Sequence, residues 1–318
     1  MELPDIQFKP IARKLGMILL LWSILNTPGE GSPLPKKDKL VQHICAFSFL
    51  CFRPENNEKT FLEVFCQIPT TSLQLVQSKN HYLGRYQISM ALYDLSENQV
   101  IGESFIDSIK VKKVDRVRSP KLVRFSFLIV PGDYQAQMRV VDLETQRYVQ
   151  INKNIHIPDF SESTLSLSDL QMAASITPSA EYNILVKNKR MIVPNIPRIL
   201  GSGSNDLTLY SEIYNLHYDS EATNKDFIAT YTILNEQGDE VKFEEFRYQK
   251  PGKSSFITAG ISVAELTSGQ YELILQVKDL DSTQIARTST NFLIIRPNLD
   301  PKVYSELLAK AFAGSEQF

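Results

Sequence analysis

The sequence predicts an all-β protein of two tandem immunoglobulin-like antiparallel β-sandwiches, with an N-terminal signal-like segment and a short C-terminal helix. One observation is a duplicated pattern, because Gly132-Asp133-Tyr134 and Gly269-Gln270-Tyr271 stand 137 residues apart and each opens a segment of alternating apolar residues. A period of two predicts a half-buried strand. The other observation is a series of short strand-like segments separated by turn residues, which is typical of sandwiches.

The two Gly-x-Tyr segments predict tyrosine corners. In immunoglobulin-like sandwiches, the phenol oxygen of a tyrosine near the start of a late strand bonds the backbone a few residues upstream. Tyr134 and Tyr271 stand at that place. Asp142 and Asp279 follow them at equivalent positions, and Asp281 comes just after the second. Because an active site is rarely duplicated at the same turn, we predict that these aspartates build turns by bonding nearby backbone.

The chain divides into five predicted segments. Its 318 residues are 43% apolar and 22% charged, which leaves room for two domains with separate cores. Residues 1–27 are predicted to be a signal peptide or N-terminal anchor and residues 28–39 a tether. The first β-sandwich domain covers residues 40–159 and the second covers 160–297. Residues 298–318 form a C-terminal amphipathic helix.

The first segment predicts export. Lys9, Arg13 and Lys14 precede an apolar run over residues 15–25, and a Pro/Gly-rich stretch follows. The run is shorter than the roughly 20 residues that span a bilayer and has the layout of a secretory signal. We therefore expect an exported protein, periplasmic or extracellular, with an uncleaved N-terminal anchor as the alternative. No later segment is long enough to cross a membrane.

Strand patterns in the first half predict two hairpins. Residues 42–52 and 60–68 form one, and a second hairpin around residues 86–99 recurs 141 residues later around 227–240. The drop in offset from 141 to 137 predicts additional residues in the first copy around 110–124. That segment carries seven basic residues and one acidic residue. We interpret it as a solvated edge strand guarded by Lys and Arg, with a patch for an anion or acidic partner as the alternative.

The second half predicts seven strands and then a helix. The strands lie at 181–193, 207–216, 227–234, 240–248, 254–263, 269–280 and 288–296. Asp300 is the expected N-cap, followed by Pro301 at the first helical position. Its apolar stripe, expected to pack on the second domain or else on a partner or downstream domain, comprises Val303, Leu307, Leu308, Ala311 and Phe312.

The three cysteines lie in the first sandwich. Cys45, Cys51 and Cys66 share strand parity with apolar neighbours, so we predict buried thiols that act as small hydrophobic residues. In an exported protein the alternative is a Cys45–Cys66 disulfide bridge, which would leave one thiol over.

The sequence offers no catalytic, cofactor-binding or metal-binding residues, and we predict that the protein is not an enzyme. Lys and Arg total 34 against 36 acidic residues, which disfavours nucleic acid as a partner. No metal-ligand spacing links the four histidines, and the stretch Gly201–Ser204 is interpreted as a flexible loop. The histidines are His43, His81, His156 and His217.

Three motifs carry a resemblance to a known family. They are Leu-Glu-Val-Phe-Cys-Gln-Ile-Pro at 62–69, Lys-Asn-Lys-Arg-Met-Ile-Val-Pro-Asn at 187–195 and Leu-Tyr-Ser-Glu-Ile-Tyr-Asn-Leu at 209–216. Together they resemble the N-terminal region of bacterial GWxTD domain-containing proteins. The resemblance implies an exported chain with tandem β-sandwiches and no transferable activity. The one tryptophan is Trp22, so the GWxTD motif itself is absent, as in a shortened or split member or a stand-alone relative.

Two function classes follow. The first is a non-catalytic protein that acts in protein–protein interaction or assembly at the bacterial envelope, with strand edges or loop ends contacting an unknown protein partner. The alternative is a carbohydrate-binding or substrate-presenting accessory module. That module would need an exposed aromatic platform, drawn from Tyr82, Tyr86, Tyr93, Tyr210, Tyr214 and Tyr218.

Overall fold

A computed structural model describes residues 45–54, 58–112, 120–161, 163–201, 205–219, 223–296 and 299–313. Two antiparallel β-sandwiches follow each other along this part of the chain and a helix comes last, so the predicted fold class is confirmed. Both sandwiches belong to one compact unit, Lys37–Phe318. The predicted signal segment and tether, residues 1–39, lie outside the described residues.

The first sandwich pairs a three-stranded sheet with a larger one. Its smaller sheet has the order β1-β2-β6, and the larger has β5-β4-β7-β8 with the short strand β3 also on β4. All pairings within these sheets are antiparallel. The strands are β1 (Ala46–Phe52), β2 (Thr60–Ile68), β3 (Val76–Ser78), β4 (His81–Tyr93), β5 (Gln99–Val111), β6 (Lys121–Ile129), β7 (Gly132–Asp142) and β8 (Tyr148–Ile157).

The second sandwich repeats this plan with additions at its start. One sheet has the order β11-β12-β10-β14-β17, with β9 on β14, and the other has β13-β19-β18-β15-β16. The strands are β9 (Ser166–Leu167), β10 (Gln171–Pro178), β11 (Val186–Lys187), β12 (Arg190–Pro194), β13 (Ile199–Leu200), β14 (Asp206–Tyr214), β15 (Asp226–Asn235), β16 (Glu240–Gln249), β17 (Ser254–Ser262), β18 (Gly269–Asp279) and β19 (Ile285–Ile294).

Each sandwich has its own core. In the first, alternate residues of β4 from Tyr86 to Leu92 are fully buried against Leu62 and Val64 of β2. In the second, alternate residues of β15 and β18, such as Tyr231 and Leu275, do the same. Apolar residues at period two thus turn one face of each sheet inward. The chain passes from the first core to the second between Phe160, which is buried in the first, and Leu165, which is buried in the second.

The predicted tyrosine corners are confirmed in both copies. The Tyr134 hydroxyl donates to the Val130 carbonyl at 2.9 Å, and the Tyr271 hydroxyl donates to the Thr267 carbonyl at 3.0 Å. The aromatic ring in each case lies over the preceding glycine. Each bond ties the start of a corner strand to the loop before it.

The aspartates after these strands have the structural role predicted from the sequence. Asp279 Oδ1 accepts the Asp281 amide at 2.8 Å, while Oδ2 accepts the His217 amide at 2.8 Å. Asp142 repeats this with the Glu144 amide at 2.8 Å and the Gln74 amide at 2.6 Å. Each carboxylate therefore builds its own turn and fastens a second loop. Asp281 likewise accepts backbone amides, from Thr223 and Asn224, at 3.0 Å each.

One predicted strand of the second half is wrong. Residues 181–193 contain a loop and then the hairpin of β11 and β12, whose turn residues Asn188 and Lys189 have φ angles of 47° and 58°. Two successive residues with positive φ are typical of a tight hairpin turn. Such turns usually contain glycine, and this one has none, so the sequence did not indicate it. β10 was missed because its first three residues are all buried and show no alternation. The other six predicted strands are confirmed.

All three cysteines are free thiols, so the alternative of a Cys45–Cys66 bridge is not realised. Cys51 and Cys66 are buried as predicted, and the half-buried Cys45 packs against the same core. Burial raises the pKa of Cys45 to about 12 and also raises the pKa values of Cys51 and Cys66. The thiols therefore stay protonated and behave as small apolar side chains.

The basic segment at 110–124 is only partly as predicted. Residues 113–119 lie outside the described residues, while Lys110 is exposed and β6 lies at a sheet edge. Lys121 pairs with Asp107 at 3.0 Å. Arg124, however, is not a solvated guard, because its side chain is largely buried and binds a buried carboxylate of the neighbouring strand.

The C-terminal helix α1 (Pro301–Ala313) packs on the second sandwich, as expected. Asp300 caps it by accepting the Lys302 amide at 2.8 Å. Tyr304 and Leu308 are buried against strand β19, whereas Val303 of the predicted stripe is 41% exposed. The buried face of the helix is therefore centred on Tyr304 and Leu308 and not on Val303. Tyr304 is amphipathic, so the apolar pattern of the sequence did not include it. The side chains of Ala311 and Phe312 lie outside the described residues.

Candidate functional site: a polar junction between the sandwiches

The two sandwiches meet through outer sheet faces: the three-stranded sheet of the first sandwich packs on the sheet of the second that contains β10, β12 and β14. On β1, Leu50 and Phe52 point away from the first core, yet both are buried because they contact the second sandwich. They pack with Ile192 of β12, with Ile196 of the following loop and with Tyr210 of β14. Sheet faces that would otherwise be solvated are therefore covered by each other, which buries apolar surface between the sandwiches.

Glu63 lies in the middle of this interface. It stands on the outer face of β2 and its side chain is 1% exposed. Arg124 of β6, in the same sheet, donates to its Oε1 at 2.6 Å, and Lys187 of β11, in the second sandwich, pairs with its Oε2. A carboxylate is costly to bury unless it is paired and hydrogen-bonded, and here both oxygens are bound. One of the two partners comes from each sandwich.

The Lys187 side chain reaches from the second sandwich to Glu63 of the first. Its ammonium also donates to Gln171 Oε1 at 3.0 Å and lies 3.5 Å from the ring centroid of Phe52. This close approach to the ring adds a cation–π contact. Burial lowers the pKa of Lys187, and the nearby Glu63 carboxylate opposes that shift.

A second group of polar side chains continues from the hairpin turn. Asn188 Nδ2 donates to Tyr210 Oη at 2.6 Å, and Tyr210 in turn donates to Glu212 Oε1 at 2.5 Å. Tyr214 donates to Glu212 Oε2 at 2.8 Å. Burial and the Glu212 charge raise the pKa values of both tyrosines, which keeps the phenols protonated as donors.

Arg53 and Asp169 extend the contacts across the interface. The Arg53 amide donates to Tyr214 Oη at 3.0 Å, and its guanidinium lies 4.3 Å from the Tyr214 ring centroid. The ring of Phe160 meets Tyr214 edge-on at 5.3 Å. Asp169 Oδ2 accepts the Cys51 amide at 2.6 Å. The backbone amides of Cys51, at the end of β1, and of Arg53, just after it, are thus both hydrogen-bonded to side chains of the second sandwich.

We call these residues the junction cluster: Glu63, Arg124, Gln171, Lys187, Asn188, Tyr210 and Glu212. Each of the three motifs behind the family resemblance contributes to it. The sequence does not reveal that these motifs meet, because Glu63 and Lys187 are 124 residues apart. The available signal was Glu63, an acidic residue inside the apolar run from Phe61 to Cys66.

The groups of the junction cluster bind one another. Both oxygens of Glu63 and both of Glu212 accept hydrogen bonds from within the protein. Such a mutually bonded network orients the elements that carry it. The cluster therefore has a structural role, because Glu63 and Lys187 bond the facing sheets of the two sandwiches to each other.

The described histidines are held in surface pairs or lie alone on a strand. His156 meets Asp133 at 2.7 Å, and the exposed His217 meets Asp281 and Asp219. His81 lies at the start of β4, and His43 lies outside the described residues. Among the described residues, no cluster of His, Cys, Asp or Glu has a geometry that could hold a metal ion.

Two depressions lie near the start of the second sandwich and beside the interface. The larger, of about 430 Å³, is lined by polar groups such as Asn195, Asn205 and Asp206. The smaller, of about 150 Å³, is lined by Lys153 and Asp169. Burial lowers the pKa of Lys153 to about 8.

The tyrosines proposed as a carbohydrate platform do not form one. Tyr86, Tyr210 and Tyr214 are buried in the cores or the junction. Tyr82, Tyr93 and Tyr218 are half-buried. The pool therefore does not supply the exposed aromatic surface that this alternative requires.

Among the described residues, every helix is too short or too polar to pass through a lipid bilayer.

No protein-family model matches the chain, and no curated protein matches it. Solved structures that match include fibronectin(III)-like modules of Clostridium thermocellum CbhA, with 8% identity over 80% of this chain and 96% of that chain and a TM-score of 0.21.

Two other matches have similar values. An ICAM-5 D1–D4 ectodomain fragment has 14% identity, covers 79% of this chain and 53% of its own, and has a TM-score of 0.22. A Bacteroides uniformis β-glucuronidase has 11% identity, covers 74% of this chain and 26% of its own, and has a TM-score of 0.24. With such scores these matches carry no argument about function.

The strand order and the junction together define the class. The chain is a tandem β-sandwich protein with immunoglobulin-like topology, in which the two sandwiches are joined face to face.

Proposed function

We propose that this protein is a non-catalytic, exported interaction protein that takes up an extended segment of a partner at the bacterial envelope. The observation that carries the proposal is the free edge strand β5. It is 13 residues long, and within the described part of the chain it pairs only with β4. Val100 and Ile106 on it are 50% and 65% exposed.

β5 has the properties of a strand-addition site. An edge strand presents unpaired N–H and C=O groups, and a partner strand gains affinity by bonding to them. Gly102, Ser104 and Ser108 share the outer face with Ile106 and are exposed. Small side chains between two apolar ones leave shallow sites for alternate side chains of a partner.

Two further features support the envelope role. The N-terminal sequence has the layout of a secretory signal. The motif resemblance to GWxTD domain-containing proteins points to the same compartment. A rigid pair of sandwiches suits a protein that presents an edge at a set distance and angle.

Photo-crosslinking in bacterial cells tests the proposal. A crosslinking residue at Ser104 of the full chain should give an adduct of defined mass in the exported fraction, and Ile106→Lys should reduce its yield about tenfold or more. Ser289, exposed on the outer face of β19, is the matched control position and should give no such adduct. A wholly cytoplasmic product, or equal adducts at both positions, would refute the proposal.

A further inference from the structure

The second sandwich has a free edge of its own, at β16. Among the strands that the structure describes, this strand pairs only with β15, and it ends the order of its sheet. Phe243 is 52% exposed and Phe246 is 40% exposed. The proposed partner of β5 leaves this second edge unexplained.

The two halves of β16 differ in how they are protected. In the first half, Lys242 faces inward and pairs with Glu244 at 3.3 Å and Glu265 at 2.8 Å. Inward charges and lysines at an edge discourage strand pairing. The second half instead has Phe246 and Tyr248 on its inner face.

The aromatic rings of the second half pack on the strand behind them. The Phe246 ring meets Tyr231 edge-on at 5.9 Å, and Tyr248 stacks on Phe227 at 5.3 Å. They extend the sheet surface to its rim. The part of β16 from Glu245 to Gln249 is thus regular, paired on one side and free of inward charge.

We propose that this half of β16 pairs with β16 of a second copy of the chain, antiparallel about a two-fold axis at Phe246. Residues that face each other in such a pair have side chains on the same side of the sheet. Phe246 then meets Phe246 of the second copy. Glu245 faces Arg247 of the second copy, and the symmetry repeats that contact.

Charge selects this register over its neighbours. An axis at Glu245 would place Glu245 opposite Glu245 of the second copy, and an axis at Glu244 would do the same with Glu244. In both registers, two like charges would face each other. An axis at Phe243 sets Lys242 against Glu244 of the second copy, but Lys242 is already bound within its own chain. The axis at Phe246 joins two unlike pairs through exposed side chains.

Arg247 is suited to this second contact. Its side chain is 61% exposed and uses Nε to bind Asp226 at 2.8 Å. A guanidinium has further N–H donors for another carboxylate. Pro251 follows soon after the strand and limits the paired length. The interface is therefore small and the dimer weak, so it forms at high concentration or where copies are held together.

Charge-swapped variants of the full chain test the register. In sedimentation velocity over a concentration series, Glu245→Arg and Arg247→Glu should each weaken self-association about tenfold or more, because two attractive pairs become repulsive. An equimolar mixture of the two variants should regain the wild-type dissociation constant. The mixture restores both unlike pairs only in this register.

The outcomes separate this inference from the proposed function. Ile106→Asp on β5 should leave self-association unchanged, and circular dichroism should show that all variants are folded. A wild-type chain that stays monomeric at every concentration would overturn the inference. So would a mixture that remains as weak as its components, or loss of the dimer through Ile106→Asp.

Discussion

The corner tyrosines make the same hydrogen bond in two different environments. Tyr271 is 7% exposed, whereas the Tyr134 bond to Val130 lies at the surface. An unsatisfied carbonyl is more costly where water cannot replace the lost donor. The Thr267 carbonyl therefore depends more on its tyrosine than the Val130 carbonyl does.

Removing these hydroxyls should destabilise both sandwiches to different extents. We expect Tyr271→Phe to lower the free energy of unfolding by about 1–1.5 kcal/mol and Tyr134→Phe by about 0.5 kcal/mol. Urea denaturation measures both. Tyr148→Phe, whose ring is 54% exposed, is the matched control and should change stability little. Two corner variants as stable as this control would contradict the corner assignment.

At the same scale, sequence reasoning reached the corners and missed the junction cluster. A corner needs one tyrosine and a carbonyl four residues away, so a local pattern reveals it. Glu63 and Lys187 are 124 residues apart, and nothing near either of them states that they meet. Only the packing of the two sandwiches brings a buried carboxylate to its second cation.

Among the strands, those with one buried face were predictable. β4, β15 and β18 alternate cleanly between buried and half-buried residues. β10 starts with three buried residues and then lies open, so period two is lost. The hairpin of β11 and β12 has strands too short to show a period, and its turn uses Asn188 and Lys189 instead of a glycine.

That turn offers a test of the hairpin. A residue other than glycine at positive φ is strained, and Lys189 has a φ of 58°. Lys189→Gly should therefore raise the free energy of unfolding by about 0.5 kcal/mol, after the entropy that glycine gains in the unfolded chain is subtracted. Thermal unfolding measures the change. Lys278→Gly, an exposed change within β18, should destabilise instead, and equal losses for both would contradict the turn.

At the scale of the whole molecule, the two predicted sandwiches lie in the same compact unit, Lys37–Phe318. Each core follows from the strand patterns. The interface does not, because the outward residues of β1 and β2 are apolar for a reason outside their own sandwich. Phe65 and Leu50 illustrate this, since both are buried against the second sandwich instead of the first core.

The central claim is that the junction cluster holds the two sandwiches as one body. The most direct test is the distance between spin labels introduced as non-natural residues at Asn152 of the first sandwich and Ser289 of the second, measured by electron double resonance. The wild-type chain should give one narrow distribution, and Lys187→Glu, which sets two carboxylates together, should broaden it. A broad distribution in the wild-type chain would contradict the claim.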